Sequence, residues 1–156
     1  MTTREDQILY FAQKAFIVHE DMLLVLRKSE DDPHNPGLWE VPGGRMHFGE
    51  EVDDHIRREV REETGLEIEP GRPFFIWSWQ LRGNIPNTDA PRAQIVAVAR
   101  LCTPVDTVTT TAGQVEGDFI SEARWVRIGE LRDLRWIGNM TGVVDRFLDE
   151  RLARRV

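Results

Sequence analysis

The chain has 156 residues, of which 40% are hydrophobic and 30% charged, with a net charge of −7 and one cysteine. That length suits one packed core, so a single domain over residues 1–156 is expected. The acidic balance excludes general binding of nucleic-acid polymers by a basic surface, and Cys102 alone excludes an intrachain disulfide or a cysteine-rich metal site. In chain order, residues 14–19 read as a strand, Glu20-Asp21 as a tight turn and 22–27 as the hairpin partner. Residues 29–37, with two prolines, are a loop. A short strand over 38–41 leads into Pro42-Gly43-Gly44, and a helix starts at Glu50 or Glu51 and stops at Gly65, a good C-cap residue.

Residues 66–69 suggest a short strand broken by Pro70-Gly71, followed by an aromatic strand over 74–81 and a proline-containing loop over 82–91. Residues 94–101 are apolar enough for a central strand, with Cys102 as a packing residue at its end. A long polar stretch over 103–117 precedes a strand at 123–128, a turn into a short helix at 129–131, and an amphipathic helix within 139–155. The order implies a mixed sheet with helices on its faces. The opening MTTREDQ has no basic segment followed by an apolar one, so no secretory leader is expected and a cytoplasmic location fits. The longest apolar runs fall far short of the ~20 residues a membrane span needs, so no membrane partner is expected.

Within the 50–65 helix, Glu59, Glu62 and Glu63 fall at i, i+3 and i+4 and share one side. On a wheel at about 100° per residue, Val52, Ile56 and Val60 form the core stripe. Glu59 and Glu63 lie within about 20° of Val52, with Glu62 and His55 on the shoulder. Buried carboxylates cost several kcal/mol unless something positive stands among them, and a hard divalent cation is the simplest answer. The histidines at 19, 34, 47 and 55 have no metal-ligand spacing. His55 is expected half-buried, one turn before Glu59, within reach of phosphate or a glutamate.

The stretch from Gly44 to Leu66 resembles the signature box of the Nudix hydrolases. All nine fixed positions are met: Gly44, Glu50, Arg58, Glu59, Val60, Glu62, Glu63, Gly65 and Leu66. The lead-in Trp39-Glu40-Val41-Pro42-Gly43 and the later Ala123-Arg124-Trp125-Val126 also look like that family. The resemblance implies an α/β/α sandwich around a mixed sheet. It implies a hydrolase that uses Mg²⁺ or Mn²⁺ to cleave a diphosphate bond in a nucleoside diphosphate linked to another moiety. It implies that Glu59 and Glu63 hold the ion, with Glu62 as a further ligand or the general base and Glu59 as the alternative base. A backbone carbonyl of the Gly43-Gly44 turn, taken as that of Gly44, would complete the shell. Arg58 joins the catalytic set, although a pairing with Glu50 that fixes loop to helix is its simpler role. A later loop acid would add a ligand, with Glu116 and Asp118 as candidates and Glu122 a weaker one.

Trp39, His55, Arg82 and Arg92 are the candidate substrate contacts: an aromatic for the base, cations for a distal phosphate. Trp77 and Trp79 share one face of a strand and are further stacking candidates, with core packing the alternative for every tryptophan. Markers of the ADP-ribose and dinucleoside polyphosphate groups are not met, which leans towards a small housecleaning enzyme acting on nucleoside triphosphates. An ADP-ribose or other nucleotide-sugar pyrophosphatase, and a non-catalytic nucleotide-sensing module on the same fold, are the alternatives. A homodimer is compatible with the sequence.

Overall fold

The computed structural model describes residues 7–81 and 93–153. Seven strands form one mixed sheet: β1 (Ile8–His19), β2 (Met22–Lys28), β3 (Trp39–Glu40), β4 (Gly43–Arg45), β5 (Ile68–Leu81), β6 (Ala93–Pro104) and β7 (Ile120–Arg127). Their order is β3-β2-β1-β6-β5, with β4 also paired to β1 and β7 to β2. β1 runs parallel to β6, and β5 antiparallel to it. Two helices, α1 (Val52–Thr64) and α2 (Thr141–Ala153), complete the α/β/α layers. 3₁₀ turns at Ile128–Asp133 and Gly138–Met140 lead into α2. No helix among the described residues is long and apolar enough to cross a membrane.

The alternation of β1 explains the layers. Ala15 and Ile17 face α1 and pack with Leu24, Ile56, Val60 and Leu66. Phe16 faces the other way and packs with Leu23, Val25, Val143 and Phe147. Its ring lies 5.0 Å from both Phe147 and Phe74. Burying Ile56 and Val60 completely contributes roughly 1.5–3 kcal/mol each to holding α1 on the sheet.

Three details depart from the sequence pattern. β5 does not break at Pro70-Gly71 but runs from Ile68 to Leu81. It lies at the end of the strand order, where a proline removes no ladder bond from an outer neighbour, and register shifts flank Pro73. Val52 is not part of the core stripe; it is 50% exposed. It opens the helix, and the buried side of α1 is His55, Ile56, Val60, Glu63 and Thr64. The polar 103–117 stretch is anchored on the end of α1. Thr110 N–H donates to Thr64 O at 2.9 Å, beside Gly65, which caps α1 in the left-handed region at φ 73°. That docking carries the residues after Thr110 back to the front of the helix.

Candidate active site

The site forms where the sheet splits. β1 pairs with β2 at Val18 and His19 but with β4 at Ala12–Lys14, so its edge opens between those contacts. Glu59, Glu62 and Glu63 of α1 border this opening. They line a cleft of about 680 Å³ together with Lys14, Lys28, Glu40, Arg58 and residues 115–118.

Arg58 serves two of the helix glutamates, and a backbone amide serves the third. Arg58 clamps Glu50 with two bonds, Nε to Oε2 at 2.7 Å and an outer nitrogen to Oε1 at 2.9 Å. Its remaining nitrogen donates to Glu59 at 3.1 Å and Glu62 at 3.2 Å. These bonds hold Glu50 down at about 2 and raise the guanidinium above its ordinary value. Glu63, 3% exposed, accepts the Gly43 N–H at 2.7 Å. Burial first, then the Glu40 charge, pushes the Glu63 carboxyl well above the usual range, against the pull of Lys14. Burial also raises Glu59, opposed by Arg58 and Lys14. Among the described residues no three acidic, histidine or cysteine side chains converge closely enough to enclose an ion by themselves. A divalent ion is therefore not the only counter-charge open to these acids: Arg58, Lys14 and the Gly43 amide already do part of that work.

The Gly44 carbonyl is not where the sequence suggested. It lies 2.9 Å from His55 Nε2, which must donate because a carbonyl only accepts. His55 Nδ1 in turn accepts from Gln13 Nε2 at 2.8 Å. The Gln13 amide is pinned in that orientation by Val52 O at 2.7 Å and by Arg100, which donates to its Oε1 at 3.2 Å. His55 is thus wholly buried rather than half-buried, and burial lowers its pKa. It cannot touch a substrate phosphate. The Gly43 carbonyl instead accepts from the Lys14 ammonium at 3.2 Å, at the cleft.

The other named residues divide cleanly. Glu116 and Asp118 line the cleft, and Asp118 accepts the Val115 N–H at 3.0 Å. Glu122 is paired with Arg124 at 3.0 Å. Trp39 is a core residue, 8% exposed, with the Arg124 guanidinium 5.0 Å over its ring, and it does not line the cleft. Arg82 and Arg92 lie outside the described residues.

Sequence reasoning missed Lys14, Lys28, Glu40 and Tyr10. Lys14 was visible as a charge within an apolar strand, on the same face as Tyr10 and Ala12. Across the sheet, Tyr10 is in register with Ile95, and Ile95 with Trp79. All three line the cleft, and the Arg45 guanidinium sits 4.4 Å over the Tyr10 ring. The alanines at 12 and 97 form the next row and keep the floor low. Tyr10 and Lys14 are four residues apart on one strand, so the aromatic row stands about 13 Å along β1 from Lys14.

A mixed sheet between helices thus carries a carboxylate-lined cleft behind a Pro-Gly-Gly turn, and the comparisons with known proteins identify the class as a hydrolase of pyrophosphate bonds. The NUDIX domain matches residues 12–147, and the chain belongs to the Nudix hydrolase family. It is 32% identical over 133 residues to a MutT-like protein of Streptomyces ambofaciens, covering 81% of this chain and 73% of that protein. It is 33% identical over 63 residues to the human 8-oxo-dGDP phosphatase NUDT18, covering 40% of this chain but only 19% of that protein. The crystal structure of a MutT protein from Methanosarcina mazei Go1 shares the fold, with a TM-score of 0.69 over 96% of each chain at 22% identity. Nudix hydrolases generally use divalent metal ions and act on small nucleotide substrates. The donors here fit such an ion: carboxylates and a carbonyl, all hard oxygens. The carboxylate of Glu59 also lies 2.9 Å from where a Cβ on Gly44 would stand, so the glycine makes room for it.

Proposed function

We propose that the protein is a Mg²⁺- or Mn²⁺-dependent pyrophosphohydrolase of nucleoside triphosphates with a housecleaning role, residues 1–156 forming one catalytic domain. The observation that carries this reading is one cleft lined both by the helix acids and by the aromatic row of Tyr10 and Trp79. A cleft of about 680 Å³ has room for a polyphosphate at the acids and a base on Trp79. The likeness to a protein named 8-oxo-dGDP phosphatase supports a purine base.

When bound, the ion neutralises diphosphate charge and makes water a better nucleophile. Glu59, Glu63 and the Gly43 carbonyl hold it. Glu62, with Glu59 as the alternative, takes the proton from the attacking water. Arg58 orients both carboxylates from its anchor on Glu50. Glu116 is the freer of the two loop acids to add a ligand, because Asp118 is engaged by the Val115 amide. Lys28, on the cleft wall beside Glu40, faces the phosphates.

The test is a panel of nucleoside triphosphates, nucleotide sugars and dinucleoside polyphosphates with Mg²⁺, Mn²⁺ or chelator. The expected result is triphosphate cleavage to monophosphate and pyrophosphate, abolished by chelator and reduced at least about 100-fold by Glu63→Gln. Metal-independent turnover, or a fully active Glu63→Gln, refutes the reading. Preference for ADP-ribose moves the substrate to nucleotide sugars, and nucleotide binding without turnover marks a sensing module.

A further inference from the structure

The alternation of β1 asks for an apolar side chain at position 14. Ala12 and Phe16, two residues to either side on the same face, are both buried. The protein puts a lysine there, with only 11% of its side chain exposed. An isolated ammonium so placed costs several kcal/mol, so its surroundings must compensate. They consist of oxygens. Nζ donates to Val41 O at 3.4 Å and Gly43 O at 3.2 Å, and lies 3.6 Å from Glu40 Oε2. The charges of Glu63 and Glu59 act on it as well. Glu40 is held from its other oxygen by Lys28, also at 3.6 Å. A cage of carboxylates and main-chain carbonyls is what a hard divalent cation takes, and part of that cage already holds a positive charge belonging to the chain.

We propose that the Lys14 ammonium is a built-in counter-cation of the active site. It occupies one cation position among Glu40, Glu63 and the Gly43 carbonyl, keeps the acids in place before any ion arrives, and holds the affinity for divalent ions down. This rests on the metal-dependent reading above. The function of the arrangement is to keep the site folded and exchangeable: an incoming ion meets repulsion from Lys14, so it binds weakly enough to leave with product.

The experiment titrates Mn²⁺ into chelator-treated protein, following free Mn²⁺ by electron paramagnetic resonance and thermal stability in parallel. It compares wild type with Lys14→Gln, which keeps a donor for the carbonyls, and Lys14→Met, which fills the space without charge. Removing a unit charge at this range is expected to tighten Mn²⁺ binding by about tenfold or more in both variants. Both are expected to melt earlier than wild type in chelator and to regain more than wild type does on adding Mn²⁺. Unchanged or weaker Mn²⁺ binding by folded Lys14→Gln overturns the proposal. So does a pair of variants that stay unfolded with Mn²⁺ present, because a divalent ion must replace the lost charge. Folding only in Mn²⁺ supports it. If wild type binds no Mn²⁺ at all, it is the metal-dependent reading that fails; equal binding by wild type and Lys14→Gln, with metal-dependent turnover intact, removes the inference alone.

Discussion

Alanine at Gly43 and alanine at Gly44 are adjacent, chemically identical changes with opposite expected outcomes. Gly43 has φ +141°, and a Cβ there would lie 2.1 Å from Gln13 O and 2.8 Å from Lys14 Cα. Both are backbone atoms of a central strand, so neither can swing aside. The left-handed backbone alone costs about 1–3 kcal/mol in a non-glycine residue. Displacing the turn also frees the Gly43 amide from Glu63, and a buried group left without its partner costs a further 1–3 kcal/mol or so. The sum is on the order of 4 kcal/mol, a large part of a typical domain's stability. At Gly44 the backbone is ordinary, and the atoms nearest the added Cβ are those of the Glu59 carboxyl, each at 2.9 Å. That carboxylate can move by rotating, at a cost of about 1 kcal/mol or less, but it then leaves its bond to Arg58. A displacement of up to ~1 Å lowers turnover by one to two orders of magnitude. Urea unfolding followed by tryptophan fluorescence, with steady-state hydrolysis beside it, separates the two. Gly43→Ala with a wild-type midpoint, or Gly44→Ala with an unchanged rate, refutes the reasoning.

Three further outcomes are expected. The raised Glu63 carboxyl keeps a proton in the native state above the unfolded value of about 4.3, so the metal-free protein loses stability as pH rises from there through the raised native value. The lowered His55 value acts the other way as pH falls below about 6.5, so the comparison is with Glu63→Gln, whose melting temperature in chelator rises relative to wild type as pH increases; parallel curves count against it. His55→Leu strands the Gln13 amide and removes the donor to Gly44 O, a loss of about 2 kcal/mol in urea unfolding; a loss below about 0.5 kcal/mol contradicts the buried network. Trp79→Ala is expected to raise KM by roughly 5- to 100-fold, the worth of about 1–3 kcal/mol of stacking, with kcat nearly unchanged, whereas Trp39→Ala lowers the urea midpoint instead; the reverse pattern would return Trp39 to the substrate.

Legibility in the sequence followed the range of the interactions. The helix, its glycine cap and its acid spacing are local, and α1 runs from Val52 to a left-handed Gly65 as that pattern requires. The strands at 22–28 and 93–104 announced themselves as apolar runs between turn residues. β5 was read as broken because a proline and a glycine are local stop signals. Only the position of that strand at the end of the sheet, a property of the whole topology, makes them tolerable. The wheel put Val52 inside because it treats every position along an axis alike, while burial of a first-turn residue depends on where the sheet begins beneath it. The same limit hid the partner of Gly44: the histidine was visible, but Gln13, 42 residues away, decides which of its nitrogens carries the proton.

The acid cluster shows the same limit acting on charge. Considered on α1 alone, three glutamates within one turn demand a cation, and a divalent ion is the economical choice. The fold supplies three answers from three places: Arg58 from the same helix, Lys14 from β1 and the Gly43 amide from the start of β4. These do not make an ion redundant, because burial still raises Glu59 and Glu63, so their charged forms lack the solvation that an ion would replace. They change what ion binding has to achieve. On the Lys14 proposal, an ion entering this cleft would complete a partly compensated site and share oxygens with the ammonium beside it, so a strand residue outside the glutamate pattern would tune its affinity.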